Sequence, residues 1–344
     1  MEEGDFMEKN YFVEPTLLAE LKRKRDYISY DLTKDGVVSD ALLKSIHQDA
    51  SYHSKILEPD QATRSKKIGR RRDYRQIRDE LSEAMSYARE RFKGHITEPF
   101  LLDMAEKIEP KSHGAYRNSG VFIPDYSTDI PPQPEKVREQ MKALVDVVSD
   151  SSLDAVERAL ILHFHFLRIH PLTDGNGRTS RFVQNLMLAQ DKYAPAIVPV
   201  GERSFYNSLI HDARRGFKER ESDGLHRAPE LIGIPPSRYS PESAFYKYMA
   251  AKINVGMDSL IDKFDELPYF RIDIKKPKDR SVSHVIKKVV QEQFKRTNSI
   301  GQARLINPHQ GVIEVRGDVS EDSLNKIVTK YHGGGHKISR LDNL

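Results

Sequence analysis

The sequence predicts a mostly α-helical fold with a small α+β appendage at its C-terminal end. Apolar residues recur at helical spacing through most of the 344 residues. Strand-like runs are few and short, and Pro/Gly clusters break the pattern at only two places, Pro124 to Pro134 and Ala228 to Pro241.

The periodic segments predict helices at Pro15 to Arg25, Asp40 to Ala50, Asp73 to Phe92, Pro99 to Lys107 and Glu135 to Val148. Ser151 to Leu188 follows as two helices broken by Pro171 to Gly177. Ser204 to Lys218 and Glu242 to Phe264 continue the pattern. Strand signals sit at Val121 to Pro124, Gln302 to Ile306 and Val312 to Val315, with a further helix near Ser320 to Tyr331. The second Pro/Gly break places a boundary near residue 238. The expected organisation is 1–98 as an N-terminal helical region, 99–238 as the central domain and 239–344 as the appendage.

Composition narrows the class. Fifty-five Lys+Arg against 51 Asp+Glu leave a net charge of +4, too weak to argue nucleic-acid binding by itself. A mean hydropathy of −0.63 means a polar surface over the core. No apolar run reaches the length of a membrane span. The opening MEEGDFMEKNYF lacks the basic and apolar regions of a signal peptide, and zero Cys excludes disulfides and thiolate zinc sites. Together these favour the cytoplasm. The basic runs Lys22 to Arg25 and Lys66 to Arg72 are each followed closely by acidic residues, the pattern of a solvated helix end or loop.

Chemistry concentrates in Ile169-His-Pro-Leu-Thr-Asp-Gly-Asn-Gly-Arg-Thr-Ser-Arg181. A helix delivers His170 and ends before Pro171, because a residue ahead of proline is biased out of the α region. Asp174 to Gly177 is a turn whose two glycines allow positive φ and close backbone approach. A second helix then starts, and its free N–H groups face the loop as an anion site. Arg178 and Arg181 are three apart on that helix. An imidazole, a carboxylate, an anion cradle and two guanidiniums in one loop suit a phosphorylated substrate carrying a divalent metal. Phosphoryl or nucleotidyl transfer needs a base, for which His170 is the candidate, and a hard oxygen ligand for Mg²⁺, for which Asp174 is the candidate. No G-x-x-x-x-G-K-[ST] occurs, which excludes a P-loop enzyme.

The stretch His170 to Arg181 resembles the Fic signature, H-P-F-x-[DE]-G-N-G-R-x-x-R, and departs from it only at Leu172. The resemblance runs over about residues 45 to 220 and implies a Fic-fold helical bundle with a β-hairpin flap. Gly114 to Ile123 resembles that flap, so Val121, Phe122 and Ile123 are expected to hold a target segment by strand addition. Arg203-Ser-Phe-Tyr206 with Leu209 resembles the helix beside the nucleoside pocket, which makes Phe205 and Tyr206 candidate nucleotide contacts. Ser54-Lys-Ile-Leu-Glu-Pro59 resembles the inhibitory motif [ST]-x-x-x-E-[GN], with Pro59 as a departure.

The resemblance implies protein adenylylation: AMP passes from ATP to a Tyr, Thr or Ser hydroxyl of a target protein, the enzyme itself included. His170 would take the hydroxyl proton and Asp174 would carry Mg²⁺. Asn176 and the N–H groups of Gly175 and Gly177 would cradle phosphate oxygens, while Arg178 and Arg181 hold the β- and γ-phosphates. Glu58, with Ser54, would inhibit in cis by pairing with Arg181; a change in oligomer or target binding would relieve it, and a homodimer is among the expected partners. Two alternatives share the same residues. One is removal of AMP from a modified protein; the other is a nucleotide-sensing module acting on a partner or DNA through residues 239–344.

His163 and His165 lie two apart on one helix, point to different faces and lack a third ligand in register, which argues against a zinc pair, and the resemblance places His163 on a helix that is mostly core. At the C-terminal end, Tyr331-His-Gly-Gly-Gly-His336 resembles, weakly, the glycine-rich turn of the substrate-binding domain associated with DHH-type phosphoesterases. Arg280 to Lys295 is basic and helical, which suits a DNA- or partner-binding element.

Overall fold

The computed structural model of the protein describes residues 10–29, 87–88, 90–92, 95–121, 131–274, 280–297, 301–307, 310–333 and 335–341. The expected helix at 40–50, most of the one at 73–92 and the basic run 66–72 lie outside the described residues. The chain is mostly helical, and it divides into two compact units between Gly256 and Met257. That division falls beyond the boundary expected near residue 238. The reason is apolar: Phe245 packs on Phe164 with ring centroids 5.4 Å apart, and Tyr246 on Phe12 at 5.4 Å, so the start of the long helix belongs with the first unit. Among the described residues no helix is long and apolar enough to cross a membrane.

In the first unit, α1 (Pro15–Ser29) precedes α2 (Glu98–Ile108), α3 (Pro134–Val148), α4 (Ala155–Ile169), α5 (Asn176–Gln190), α6 (Arg203–Ser222), the single turn α7 (Ala228–Leu231) and α8 (Pro241–Asp265). The unit division also cuts α1, after Leu21. The helix α4 starts at a capping box: Asp154 accepts from Val156 N–H at 2.9 Å, and Glu157 reaches back to Asp154 N–H at 3.3 Å. Nearly every side chain from Val156 to Ile169 is buried, so α4 is the central helix and α5 packs along it. A buried polar bridge joins α4, α6 and α8. Arg168 lies 3.9 Å over the Phe217 ring and donates to His165 Nδ1 at 3.1 Å, while Arg220 pairs with the buried Glu242 at 2.8 Å. Breaking such a pair by removing one partner would leave a charge buried and unpaired.

The second unit carries β1 (Tyr269–Ile274), α9 (Arg280–Thr297), β2 (Gly301–Asn307), β3 (Val312–Gly317), α10 (Glu321–His332) and β4 (His336–Arg340). The four strands form one antiparallel sheet in the order β2-β3-β1-β4. This is the split β-α-β-β-α-β arrangement. Phe270, Ile272 and Ile274 of β1 alternate inward and meet Ile313 and Val315 of β3 with Ile286, Val290 and Phe294 of α9. Two of the strands, β2 and β3, fall where the sequence expects them. The other two, β1 and β4, were not expected.

Candidate functional site

The site is the turn between α4 and α5. His170 closes α4 in the left-handed region, φ 52°, with its N–H still bonded to Phe166 O at 3.0 Å. That conformation is strained for a non-glycine residue and turns the imidazole out of the helix direction. What holds it there is Arg117, which is buried. Its Nε donates to His170 O at 2.8 Å, Nη1 to Ser119 O at 2.9 Å, and Nη2 to Pro132 O at 2.5 Å and Ile169 O at 3.4 Å. Its own N–H bonds Pro171 O at 2.9 Å. On the other side Arg214 donates to Leu167 O.

The environment sets the charge of His170. Burial pulls its pKa down from 6.5 to about 3, the Arg214 and Arg117 guanidiniums add to the lowering, and attraction to the Leu167 carbonyl opposes it. The imidazole is therefore neutral at pH 7, the form a base requires. Its Nδ1 is buried without a geometric hydrogen bond among the described residues.

The loop itself is braced from within. Asn176 Oδ1 accepts from Leu172 N–H at 2.9 Å and its Nδ2 donates to Leu172 O at 2.9 Å, so the amide side chain closes the turn instead of lying open to a ligand. Leu172 is fully buried and fills the place of the aromatic in the signature. Gly175 has φ +80°, and a Cβ there would lie 2.7 Å from Glu109 Cβ, so both backbone and space require glycine.

Asp174 and Arg178 stand at the mouth. The Asp174 carboxylate is half exposed and accepts from Gly175 N–H at 2.7 Å and from Arg178 Nη2 at 3.3 Å. Arg178 Nη1 also donates to Glu109 Oε2 at 2.6 Å. Arg181 is 4% exposed, deep on the inner side of α5, where its charge helps depress His163. The two arginines of the signature therefore reach different surroundings. Three or more His, Asp or Glu side chains do not converge among the described residues. An exposed single carboxylate fits Mg²⁺ that arrives on a polyphosphate, since that ion keeps most of its shell as water and phosphate.

The remaining candidates separate. Tyr206 is buried, and its hydroxyl bonds His163 Nε2 at 2.7 Å, while His163 Nδ1 bonds Gln184 Oε1. His163 is thus a neutral core histidine, held at a pKa of about 3 by burial and by Arg181. Phe205 is 56% exposed, with its ring edge-on to Tyr248 at 5.4 Å. Val121 is irregular, residues 114–121 contain no strand, and Phe122 and Ile123 lie outside the described residues, as do Ser54 and Glu58. Three residues that sequence reasoning did not single out belong to the site: Glu109, Arg117 and Arg214. Segment 109–117 wraps the loop, for Thr173 Oγ1 also donates to Lys111 O at 3.2 Å.

Residues 95–188 match the sequence profile of the Fic/DOC family. The chain is 36% identical over 123 residues to "Protein adenylyltransferase fic-1" of Caenorhabditis elegans, covering 34% of this chain and 24% of that protein. It is 30% identical over 146 residues to "Protein adenylyltransferase Fic" of Nematostella vectensis, covering 40% of this chain and 34% of that protein. The matched stretch thus spans about a quarter to a third of these relatives. Among solved structures, the fragment of C. elegans Fic-1 from residue 134 to 508 superposes with a TM-score of 0.50 at 22% identity, over 72% of each chain. That likeness bears on fold.

Proposed function

Because the chain carries a Fic domain, we propose that the protein is an adenylyltransferase that moves AMP from ATP to a Tyr, Thr or Ser hydroxyl of a target protein. The observation that carries this reading is the neutral His170 held beside an arginine-rich turn at a helix N-terminus. With Nδ1 buried, Nε2 is the ring atom that receives the hydroxyl proton. The oxygen attacks the α-phosphorus, the bond to the β-phosphate breaks and diphosphate leaves. Arriving phosphates bring negative charge toward His170 and offset Arg117 and Arg214, so its basicity rises as substrate binds. Arg178 turns from Asp174 to hold phosphate oxygens, and helix α5 presents its N-terminal dipole to them. When bound at Asp174, Mg²⁺ supplies charge neutralisation on the polyphosphate. Glu58, with Ser54, brakes the reaction through Arg181.

The test is labelling with α-phosphate-radiolabelled ATP and Mg²⁺. Glu58→Gly is expected to raise self-labelling severalfold, and adding His170→Ala is expected to abolish it. Normal labelling by a folded His170→Ala protein would sink the mechanism. Unchanged labelling by Glu58→Gly, with ATP binding intact, would remove Glu58 from the inhibitory role.

A further inference from the structure

We propose that Glu109 is a positioning residue: it anchors one edge of the Arg178 guanidinium, so that the other edge meets arriving phosphate. The proposal rests on the nucleotide-binding reading given above.

A cation in the first turn of a helix needs such an anchor. Arg178 follows Asn176 and Gly177 at the start of α5, where the helix dipole is positive and repels it. The carboxylates of Glu109 and Asp174 both touch the guanidinium, and they differ in kind. Glu109 Oε2 accepts from Nη1 at 2.6 Å, with the Arg178 and Glu109 side chains only 15% and 11% exposed. Asp174 Oδ1 accepts from Nη2 at 3.3 Å, and its side chain is 48% exposed. A short, charge-assisted bond shielded from water is strong, whereas a long contact in water is worth little. Phosphate therefore displaces Asp174 from Nη2 and leaves Glu109 on Nη1. Displacing Glu109 as well would strand a carboxylate where water scarcely reaches.

Glu109 is a fixed post because the chain holds it on several sides. It closes α2, with its N–H bonded to Ala105 O at 2.8 Å. It also opens the single turn Pro110–Ser112: its Oε1 accepts from Lys111 N–H at 3.3 Å and its carbonyl from Ser112 N–H at 2.8 Å. Its stem lies against Gly175, where a Cβ would come within 2.7 Å of Glu109 Cβ and 3.2 Å of its Cγ. Glycine at 175 thus makes room for Glu109 as well as for the turn. The same segment runs on to Arg117, whose Nε holds His170 O at 2.8 Å. One strap thereby sets the phosphate-holding guanidinium and the base relative to each other, as in-line transfer demands.

The experiment is a double-mutant cycle read by calorimetric titration of ATP with Mg²⁺ into the full chain. Glu109→Gln keeps the stem and an acceptor for Lys111 N–H while removing the charge. It is expected to weaken ATP binding about tenfold in the native sequence and less than about twofold in an Arg178→Ala background. Circular dichroism checks the fold, and Glu109→Asp, one methylene short of Arg178, takes its place should Glu109→Gln unfold. Equal losses in both backgrounds would assign Glu109 to the fold alone and overturn the proposal. Unchanged binding by Glu109→Gln would overturn it as well, and tighter binding would make Glu109 a competitor of phosphate instead of an anchor. The cycle reads binding and not transfer. Bound ATP that labels nothing would therefore sink the adenylyltransferase reading and leave the role of Glu109 standing, whereas no ATP binding by the native chain would remove both.

Discussion

Lowering the pH from 7 to 5 is expected to remove about 4 kcal/mol from the stability of the helical unit through two histidines alone. His163 and His170 each titrate in the folded protein at a pKa of about 3, both held down first by burial. In the unfolded chain they return to about 6.5. A lowered folded pKa means that the unfolded state takes up the proton first. The stability they contribute is therefore whole above pH 6.5 and is lost as the pH falls toward 3. At pH 5 the unfolded imidazoles are mostly charged and the folded ones are not, a difference of about 2 kcal/mol per residue. His165 is lowered in the same direction by burial, Arg168 and Arg220. Glu242 acts oppositely, because burial raises its pKa and the folded state keeps its proton longer. The difference between variants isolates one residue. Urea unfolding of wild type and His170→Ala at pH 7 and pH 5 is expected to show the variant losing about 2 kcal/mol less. Equal losses, or a His170 imidazole resonance that titrates near pH 6.5, would refute a neutral buried base.

Arg117→Lys keeps a charge but cannot make the four side-chain bonds that Arg117 makes to carbonyls around His170. Transfer is expected to fall about 10- to 100-fold with ATP affinity held within about twofold; parallel loss of ATP binding would show that Arg117 acts on the nucleotide instead. Gly175→Ala must adopt φ +80° with a Cβ 2.7 Å from Glu109 Cβ, costing about 1–2 kcal/mol for the backbone before any clash. A lower melting temperature and loss of labelling are expected, and an unchanged melting temperature would count against the close approach of Glu109.

The signature loop is legible in sequence because it is local. A helix end, a proline, two glycines and a new helix start are all set by neighbours along the chain, and the structure has each of them. What surrounds the loop is not local. Arg117 reaches His170 across 53 residues and Glu109 reaches Arg178 across 69, and neither stands in a pattern that marks it. Tyr206 shows the converse. A tyrosine beside an exposed phenylalanine fits a pocket wall or the core equally well, and only packing assigns its hydroxyl to His163. The sheet divides in the same way. Strands β2 and β3 are only four residues apart in sequence and read as a pair, whereas β1 pairs only with β3 and β4, both distant in sequence. Its alternation of Phe270, Ile272 and Ile274 is clear once the partners supply the second face.

The loop residues also divide by the work they do, and sequence alone assigns them all to the ligand. Asn176 spends both ends of its amide on Leu172, and Gly175 gives its N–H to Asp174. Buried groups tied this way cost about 1–3 kcal/mol each to leave unpaired, so a ligand gains little by competing for them. Asp174 differs, since it is half exposed and its contact with Arg178 is long, 3.3 Å, while Arg178 also holds Glu109 at 2.6 Å. In the proposed reaction, a polyphosphate with its metal would offer Asp174 a cation and Arg178 an anion at once. On the proposed reading, recognition would rest on exchange at the rim of a turn whose interior is already closed. That separation explains why a loop built of polar residues can stand in a single shape before any ligand arrives.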